Sequence, residues 1–490
     1  MIRKNPIPQK HKPRPYALLG MAAMSLWLAS CTTDSEKESA RPSAPEVSVT
    51  PSSPTMNAKP TWSWTSGGGG TGKFRYKLND DNLDQGALEI TASKYMPAQD
   101  LAHGTHTLHV QELGESGKWS ESGSATATIV LEQHLAVVGD AGSPSGFTSL
   151  FIPPDGRPVI SHYSVIPGGS YGFLKVLKCG DAKCASGNSI SDAIDGPSMG
   201  GYNSIHVPPD GLPVISYRAA GNRGDLKVVK CGDAACASGN TISTVGNGGR
   251  YTSLHVPSDG LPVIAYFIEA HLWVAKCGDA ACASGNTLTL VDSVPSDPGV
   301  QAGGLSLHVP ADGLPVIAYH DGLSGGSRLK VAKCGDAACA SDNTITTVDS
   351  TGNSGASLTV PADGRPVIAY YDELKKQLKV LKCGNADCTS GNVISDVDAG
   401  GGSNNSIAVG ADGRPVISYS GTRNGIAGLL KAVKCGDAAC STGNFFAPAG
   451  AYQGTGRFTS LRIPEDGLPV ISFLANSQGL HVMKFAVPFP

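Results

Sequence analysis

From Leu135 to Phe485 the apolar residues come in short runs, each bounded by Gly, Pro, Asn or Asp, and the runs recur. One copy reads Tyr251-Thr252-Ser253-Leu254-His255-Val256, then Asp259-Gly260, then Leu261-Pro262-Val263-Ile264-Ala265-Tyr266. Leu272-Trp273-Val274-Ala275-Lys276-Cys277 and Thr287-Leu288-Thr289-Leu290-Val291 complete it. Long amphipathic helical periodicity is absent. Short β-branched runs between turn residues predict strands, so the copy reads as four strands. Asp-Gly predicts the first hairpin turn, because Gly accepts positive φ without steric cost. Pro262 opens its strand, where a missing amide donor matters least. The second run is apolar at successive positions, which predicts burial of both its faces.

The Asp-Gly-x-Pro-Val element occurs seven times, at Asp155, Asp210, Asp259, Asp312, Asp363, Asp412 and Asp466. A period of about fifty residues signals a solenoid, a propeller or an array. Four antiparallel strands per copy favour an all-β protein with a seven-bladed β-propeller over residues 135–487. The ends of the repeat region separate a ring from a linear solenoid. The last copy has Ser460 to Ile463, Leu468 to Phe473 and Leu480 to Phe485, and no fourth run follows. Leu135-Ala136-Val137-Val138-Gly139, ahead of the first copy, matches the fourth-run pattern of Thr344 to Val348. The expectation is that this N-terminal strand closes the last blade, which removes exposed sheet edges.

Residues 46–131 do not share the repeat. They carry Trp62-Ser63-Trp64, Phe74 to Leu78, and a stretch in which Leu108 and Val110 alternate with Thr107, His109 and Gln111. Such alternation predicts a half-buried antiparallel strand, and several strands in so short a segment predict a small β-sandwich. The Trp pair and Gly104-Thr105-His106-Thr107-Leu108 resemble the immunoglobulin-like or fibronectin type III-like modules of secreted bacterial proteins. His103, His106 and His109 read as exposed strand and turn residues.

Residues 1–31 have a basic start (Arg3, Lys4, Lys10, Lys12, Arg14), an apolar run from Tyr16 to Leu28, and Leu28-Ala29-Ser30-Cys31. The apolar run is short for a membrane span, and the order is that of an export signal. With its terminal Cys it resembles a bacterial lipoprotein signal. The resemblance implies lipidation of Cys31, membrane attachment through that anchor, and a place in the bacterial cell envelope at the outer membrane. Residues 32–45 are rich in Ser, Thr, Glu and Pro and read as a disordered stalk.

The remaining twelve cysteines form six pairs of one spacing: Cys179 and Cys184, Cys231 and Cys236, Cys277 and Cys282, Cys334 and Cys339, Cys383 and Cys388, Cys435 and Cys440. Each pair lies between a third and a fourth strand. Export predicts disulfides, and a hairpin loop of four residues brings two Cα atoms within bridging reach. Zinc would need two pairs to converge, and these sit on separate repeats. The seventh repeat lacks a pair because its fourth strand comes from the other end of the chain.

Composition narrows function without naming it. With 62 Gly and 33 Pro in 490 residues, 16% charged residues and a net charge of −3, nothing marks a nucleic-acid partner. The repeated acids, at Asp-Gly and at Asp181, Asp233, Asp279, Asp336 and Asp437, read as turn residues. No cofactor or metal site is expected, and His206, His255 and His308, at equivalent positions, read as packing residues between blades. The variable connections on the opposite face are where a specific site can be built. They place Tyr202, Arg218, Tyr251, Trp273, His320, Asp321, Tyr371 and Asp372 on a candidate ligand face. Aromatic residues with scattered Arg and Asp suit a glycan, peptide or protein ligand. The expected activity is binding or adhesion by a monomer, without catalysis. The alternatives are a polysaccharide-active hydrolase or lyase, for which His320-Asp321 and Tyr371-Asp372-Glu373 would supply the acids and bases, and a purely structural envelope protein. No Ser-x-Asp-x-Gly-x-x-Trp box, Gly-x-Ser-x-Gly elbow or His-Glu-x-x-His motif is present. The repeat resembles those of uncharacterised bacterial surface proteins that read Asp-Gly-x-Pro-Val-Ile-Ser-Tyr, a likeness that implies fold and location only.

Overall fold

The computed structural model describes residues 41–130, 134–138, 143–165, 172–194, 200–219, 224–293, 303–322, 327–350, 353–423, 426–447, 455–475 and 479–487. Cys31 and the export segment lie outside them. The described residues are all-β, with no helix.

The N-terminal unit packs two antiparallel sheets. One contains Glu46–Thr50, Thr61–Thr65 and Lys94–Tyr95; the other contains Leu88–Ile90, Gly70–Leu78, Gly104–Gly114 and Gly123–Ile129. Trp62, Trp64, Phe74, Leu108, Val110, Ala127 and Ile129 form its core. The Trp62 indole N–H donates to the Ala125 carbonyl at 2.9 Å, so its polar edge is satisfied inside the core. Residues ahead of the first strand also belong to the unit: Pro42 and Pro45 are buried, and the Ser43 amide donates to the Gly68 carbonyl. Met56 and Val130 pack with Phe485 and Val487 of the C-terminal part.

The C-terminal part contains seven four-stranded antiparallel sheets. Sheet one runs Ser143–Phe151, Val159–Val165, Gly172–Lys178 and Ser189–Asp192, and the next five repeat that order. Sheet seven takes Thr455–Arg462, Val470–Ala475 and Gly479–Lys484 from the end of the chain and His134–Val138 from before sheet one. Leu480 pairs with Val138 and Lys484 with His134. Gly139, the last residue expected in that strand, lies outside the described residues.

Two networks bind these sheets into a circuit. The first is apolar. A separate core fills each junction between consecutive sheets, and a seventh fills the junction of sheet seven with sheet one, through Val138, Leu150, Ile160, Leu177, Val470 and Val482. In sheet three, Val263, Ala265 and Phe267 enter the core shared with sheet four, whereas Ile264 and Tyr266 enter the core shared with sheet two. The unbroken apolar run follows from being covered on both faces.

The second network is polar. The Ser before the core Leu or Ile of each first strand accepts a hydrogen bond from a backbone amide of the next sheet. Ser149 takes the Ile205 amide, Ser204 the Leu254 amide and Ser253 the Leu307 amide, each at 3.0–3.1 Å. Ser306, Ser357 and Ser406 continue the series, and Ser460 closes it on the Leu150 amide at 3.0 Å.

The repeated acids are scaffold. In sheet three, Asp259 caps its turn by accepting the Leu261 amide and pairs through its second oxygen with Lys276 at 2.6 Å. The same Asp–Lys pair recurs in every sheet, from Asp155–Lys178 to Asp466–Lys484. Asp279 accepts the Ala281, Ala283 and Ser284 amides in the cysteine loop. All six expected disulfides are present, with Cα separations of 4.6–4.9 Å.

Candidate functional site

The first strands of the seven sheets meet in sequence, and the seventh meets the first, so they line a central channel. The channel has two unlike ends. Each is set by one position of the repeat.

At the end carrying the variable connections, every first strand contains a bulge, and each bulge holds one residue in the left-handed α conformation. In circuit order these residues are Phe147, Tyr202, Tyr251, Gly304, Gly355, Asn404 and Phe458, with φ between 51° and 61°. The left-handed conformation suits Gly and Asn and costs a bulky L-residue about 1–2 kcal/mol. Sheets four, five and six use the permissive residues, and sheets seven, one, two and three use aromatic ones. The aromatic residues are neighbours. Phe458 stands 4.9 Å from Phe147, Phe147 4.3 Å from Tyr202, and Tyr202 4.5 Å from Tyr251, between ring centroids. The opposite side of the mouth has no such wall: a Cβ added at Gly304 would meet the Gly355 nitrogen at 2.6 Å.

The bulge is held by side chains of the adjacent sheets. Thr252 donates its hydroxyl to the Tyr202 carbonyl at 2.5 Å, Thr148 to the Phe458 carbonyl at 2.7 Å, and Asn203 to the Phe147 carbonyl at 3.1 Å. Thr459 holds Asn404 in the same way, and Asn405 holds Gly355. Five of the seven bulge carbonyls thus have a side-chain partner supplied by the next repeat; at Tyr251 and Gly304 the aligned residues are Leu305 and Ala356, whose side chains cannot donate.

The other expected ligand-face residues are not gathered here. Trp273 packs in the core between sheets two and three. His320 is buried and lies in the fields of Asp321 and Asp349; burial outweighs both and holds its pKa at about 4. Asp321 is fully buried, accepts the Arg328 amide and pairs with the Arg328 guanidinium at 2.6 Å. Asp372 caps the Leu374 and Lys375 amides and pairs with Lys379 at 3.0 Å. Arg218 ends the second strand of sheet two, against Gly224, and Tyr371 lies against Gly402. Of the acids that a hydrolytic reading would use, Asp321 and Asp372 are thus committed to turns and ion pairs, whereas Glu373 is exposed. Among the described residues no group of His, Cys, Asp and Glu is arranged to hold a metal ion; His106, for one, is bonded to Asn79 and to the Ala102 carbonyl.

Phe147 and Phe458 were not legible as site residues in the sequence, although a signal existed. Each stands three positions before the core Leu or Ile of its strand, aligned with Tyr202, Tyr251 and a pair of glycines.

At the Asp-Gly end the lining position carries Phe151, His206, His255, His308, Thr359, Ala408 and Arg462 in circuit order. The rings stack along the wall, with centroids 4.5 Å apart for Phe151–His206, 5.0 Å for His206–His255 and 5.2 Å for His255–His308. Phe151, His206 and His255 border a cavity of about 980 Å³ that is rimmed by Pro153, Pro208, Pro257, Pro310 and Pro464 and also lined by Asp155, Glu465, Asp466 and Lys484.

Burial depresses all three channel histidines, and the Arg462 charge adds to it. His206 and His308 fall to about 4 and His255 to about 3. A histidine depressed in the fold binds protons less readily than in the unfolded chain, so it contributes stability above its ordinary pKa of about 6.5 and loses it as pH falls toward the folded value. For His320, which is 2% exposed, the full difference is worth about 3 kcal/mol. The melting temperature should therefore fall between pH 7.5 and pH 4.5, and His320→Leu should flatten that fall. Equal melting temperatures at the two pH values would refute buried neutral histidines.

No protein-family model matches the chain, and no curated protein matches it. Similar solved structures include an ulvan lyase, a polysaccharide lyase bound to a GlcA–Rha3S unit, at 10% identity over 70% of this chain and 94% of that one, with a TM-score of 0.49. An α-L-arabinanase from Penicillium chrysogenum complexed with arabinobiose has 12% identity over 70% of this chain and 96% of that one, with a TM-score of 0.42. A sialidase from Streptococcus pneumoniae has 9% identity over 90% and 92%, with a TM-score of 0.39.

Proposed function

We propose that the chain is an envelope protein, exported and anchored through lipid on Cys31, in which a fibronectin type III-like module carries a seven-bladed β-propeller that binds a glycan at its aromatic mouth. The closed circuit of seven sheets and the three-on-four sandwich support the architectural part. The six disulfides favour an oxidising compartment.

The glycan reading rests on the arc of Phe458, Phe147, Tyr202 and Tyr251. Backbone strain concentrates at ligand clamps, and here Gly304, Gly355 and Asn404 provide the same bulge with residues suited to it. The four rings are best explained by the surface they present. A contiguous aromatic wall offers flat apolar faces to the apolar face of a sugar ring, and Tyr202 and Tyr251 add hydroxyls. Arg457 and Arg250 stand next to the arc in the chain.

Tyr202→Asn copies the residue of sheet six, and Tyr251→Gly copies that of sheet four. Each should leave stability within about 1 kcal/mol, because relieved strain offsets lost stacking. The double variant should lose binding on a glycan array at least tenfold, about 1.4 kcal/mol. A glycan bound equally by the double variant would refute the site. Turnover of a polysaccharide, abolished by Asp321→Asn or Asp372→Asn, would replace binding with catalysis.

A further inference from the structure

At the Asp-Gly end of the channel the lining position of the first strands collects cationic and cationisable groups, and the acids of this mouth stand outside that position, at or beside the Asp-Gly turns. Arg462 projects from sheet seven, and its charge is felt by His206, His255 and His308 across the ring. Its Nη1 donates to the Leu461 carbonyl at 2.8 Å, within its own strand. No carboxylate among the described residues lies within ion-pair distance of it. Other cations between the sheets are matched: Lys330 pairs with Asp292, Lys379 with Asp349 and Asp372, and Lys431 with Asp398. The acids at this mouth do not serve Arg462. Asp466 is held by Lys484 and Asp155 by Lys178, while Glu465 is exposed at the rim.

A half-buried guanidinium with no counter-charge beside it is costly, and the three imidazoles that feel its charge make the local field more positive whenever one takes a proton. The remaining ring positions, Phe151, Thr359 and Ala408, add one hydroxyl and no charge. The cavity that His206 and His255 line is open to solvent between the proline turns and far larger than a small anion needs; Arg462 and His308 hold the same register position on neighbouring first strands. Planar guanidinium donors match the oxygen pairs of carboxylate, sulfate and phosphate groups.

We propose that this recess is an oxyanion site, in which a sulfate, phosphate or carboxylate group is held by the Arg462 guanidinium and by the imidazoles of His206, His255 and His308. It lies at the opposite end of the channel from the aromatic arc and does not depend on the glycan reading. The bound anion supplies the missing counter-charge, so it favours protonation of the imidazoles. Binding is therefore coupled to proton uptake, and affinity rises as pH falls from 7.5 to 5.5. The shared chemistry has two natural sources: a free inorganic oxyanion, or an acidic group carried on a polymer.

Titration calorimetry of the folded protein with sodium sulfate, against sodium chloride at equal ionic strength, tests the site. Sulfate should bind at pH 5.5 at least tenfold more tightly than at pH 7.5, with proton uptake, and chloride should not replace it. Arg462→Leu should abolish binding. Should that variant fail to fold, His255→Phe, which repeats the Phe151 stacking, should fold and reduce the pH dependence. In ring-proton NMR of the unaltered protein, sulfate should raise the pKa of His206, His255 and His308 and leave His320 unmoved. Tighter binding of a sulfated oligosaccharide than of sulfate would assign the polymer source, and the reverse would assign the free ion. Binding of equal strength in Arg462→Leu, or histidine titrations unmoved by sulfate, would overturn the proposal.

Discussion

Replacing Lys379 by Met is expected to destabilise the fold by about 3–5 kcal/mol, the cost of leaving buried charge without its partner. Lys379 sits between two acids, 3.4 Å from Asp349 and 3.0 Å from Asp372, and all three side chains are under 10% exposed. The Tyr370 hydroxyl donates to Asp349 at 2.8 Å, completing a buried group that joins sheets four and five. Burial works to lower the Lys379 pKa, yet the two carboxylates outweigh it and raise it, so the ammonium stays charged at every pH the fold tolerates. Methionine fills the volume of the lysine stem but leaves Asp349 and Asp372 facing each other. The fitting control is Lys434→Met. Its partner Asp412 is largely solvated at the rim, so that change should cost no more than about 1 kcal/mol. Denaturant unfolding of the two variants measures both values. Equal midpoints would show that the buried network contributes nothing beyond its apolar stems.

A chain beginning at Gly139 should fail to give a soluble, cooperatively melting protein, whereas one beginning at Leu131 should give it. The difference is the strand His134–Val138. Its removal uncovers Gly479–Lys484, which is buried along its whole length and would become a flat apolar edge. Unpaired edges of this kind template aggregation. The core at the junction with sheet one also loses Val138 and Ala136. Burying one such aliphatic side chain is worth about 1.5–3 kcal/mol, and five residues of ladder pairing go with them. Size-exclusion chromatography and thermal melting decide the outcome. A monomeric, cooperative protein starting at Gly139 would show that the circuit holds without its closing strand.

Some of the site was within reach of the sequence and some was not. Asp259 and Asp279 are legible as turn residues, because repetition at Gly-bounded loops already argues for geometry. The partner of Asp259 was not legible: Lys276 lies at the far end of a different strand, and only antiparallel register places it there. Tyr202 and Tyr251 were named as ligand-face residues on composition and position. Phe147 and Phe458 joined them only once the bulge register showed that all four occupy one strained position. His320, Asp321 and Asp372 looked like available acid–base chemistry. Their burial and their pairing with Arg328 and Lys379 depend on how the second and third strands turn, which a linear reading does not resolve. His206, His255 and His308 were expected to be packing residues, and their rings do stack. Their common exposure to Arg462 could not be anticipated, since Arg462 stands at least 150 residues further along the chain.

By itself, the sequence determined the strand content, the period, the six disulfide pairs and the pairing of a strand before sheet one with the last repeat. These are local or periodic properties, written in turn residues, in spacing and in apolar runs that repeat in register. The tertiary structure decided what the channel contains. Phe458, Phe147, Tyr202 and Tyr251 became one wall, and three histidines came within the field of Arg462, because closing a ring brings the same position of every repeat to one axis. A side chain that looks like an isolated departure from the repeat along the chain thereby comes to stand beside the departures on the adjacent strands.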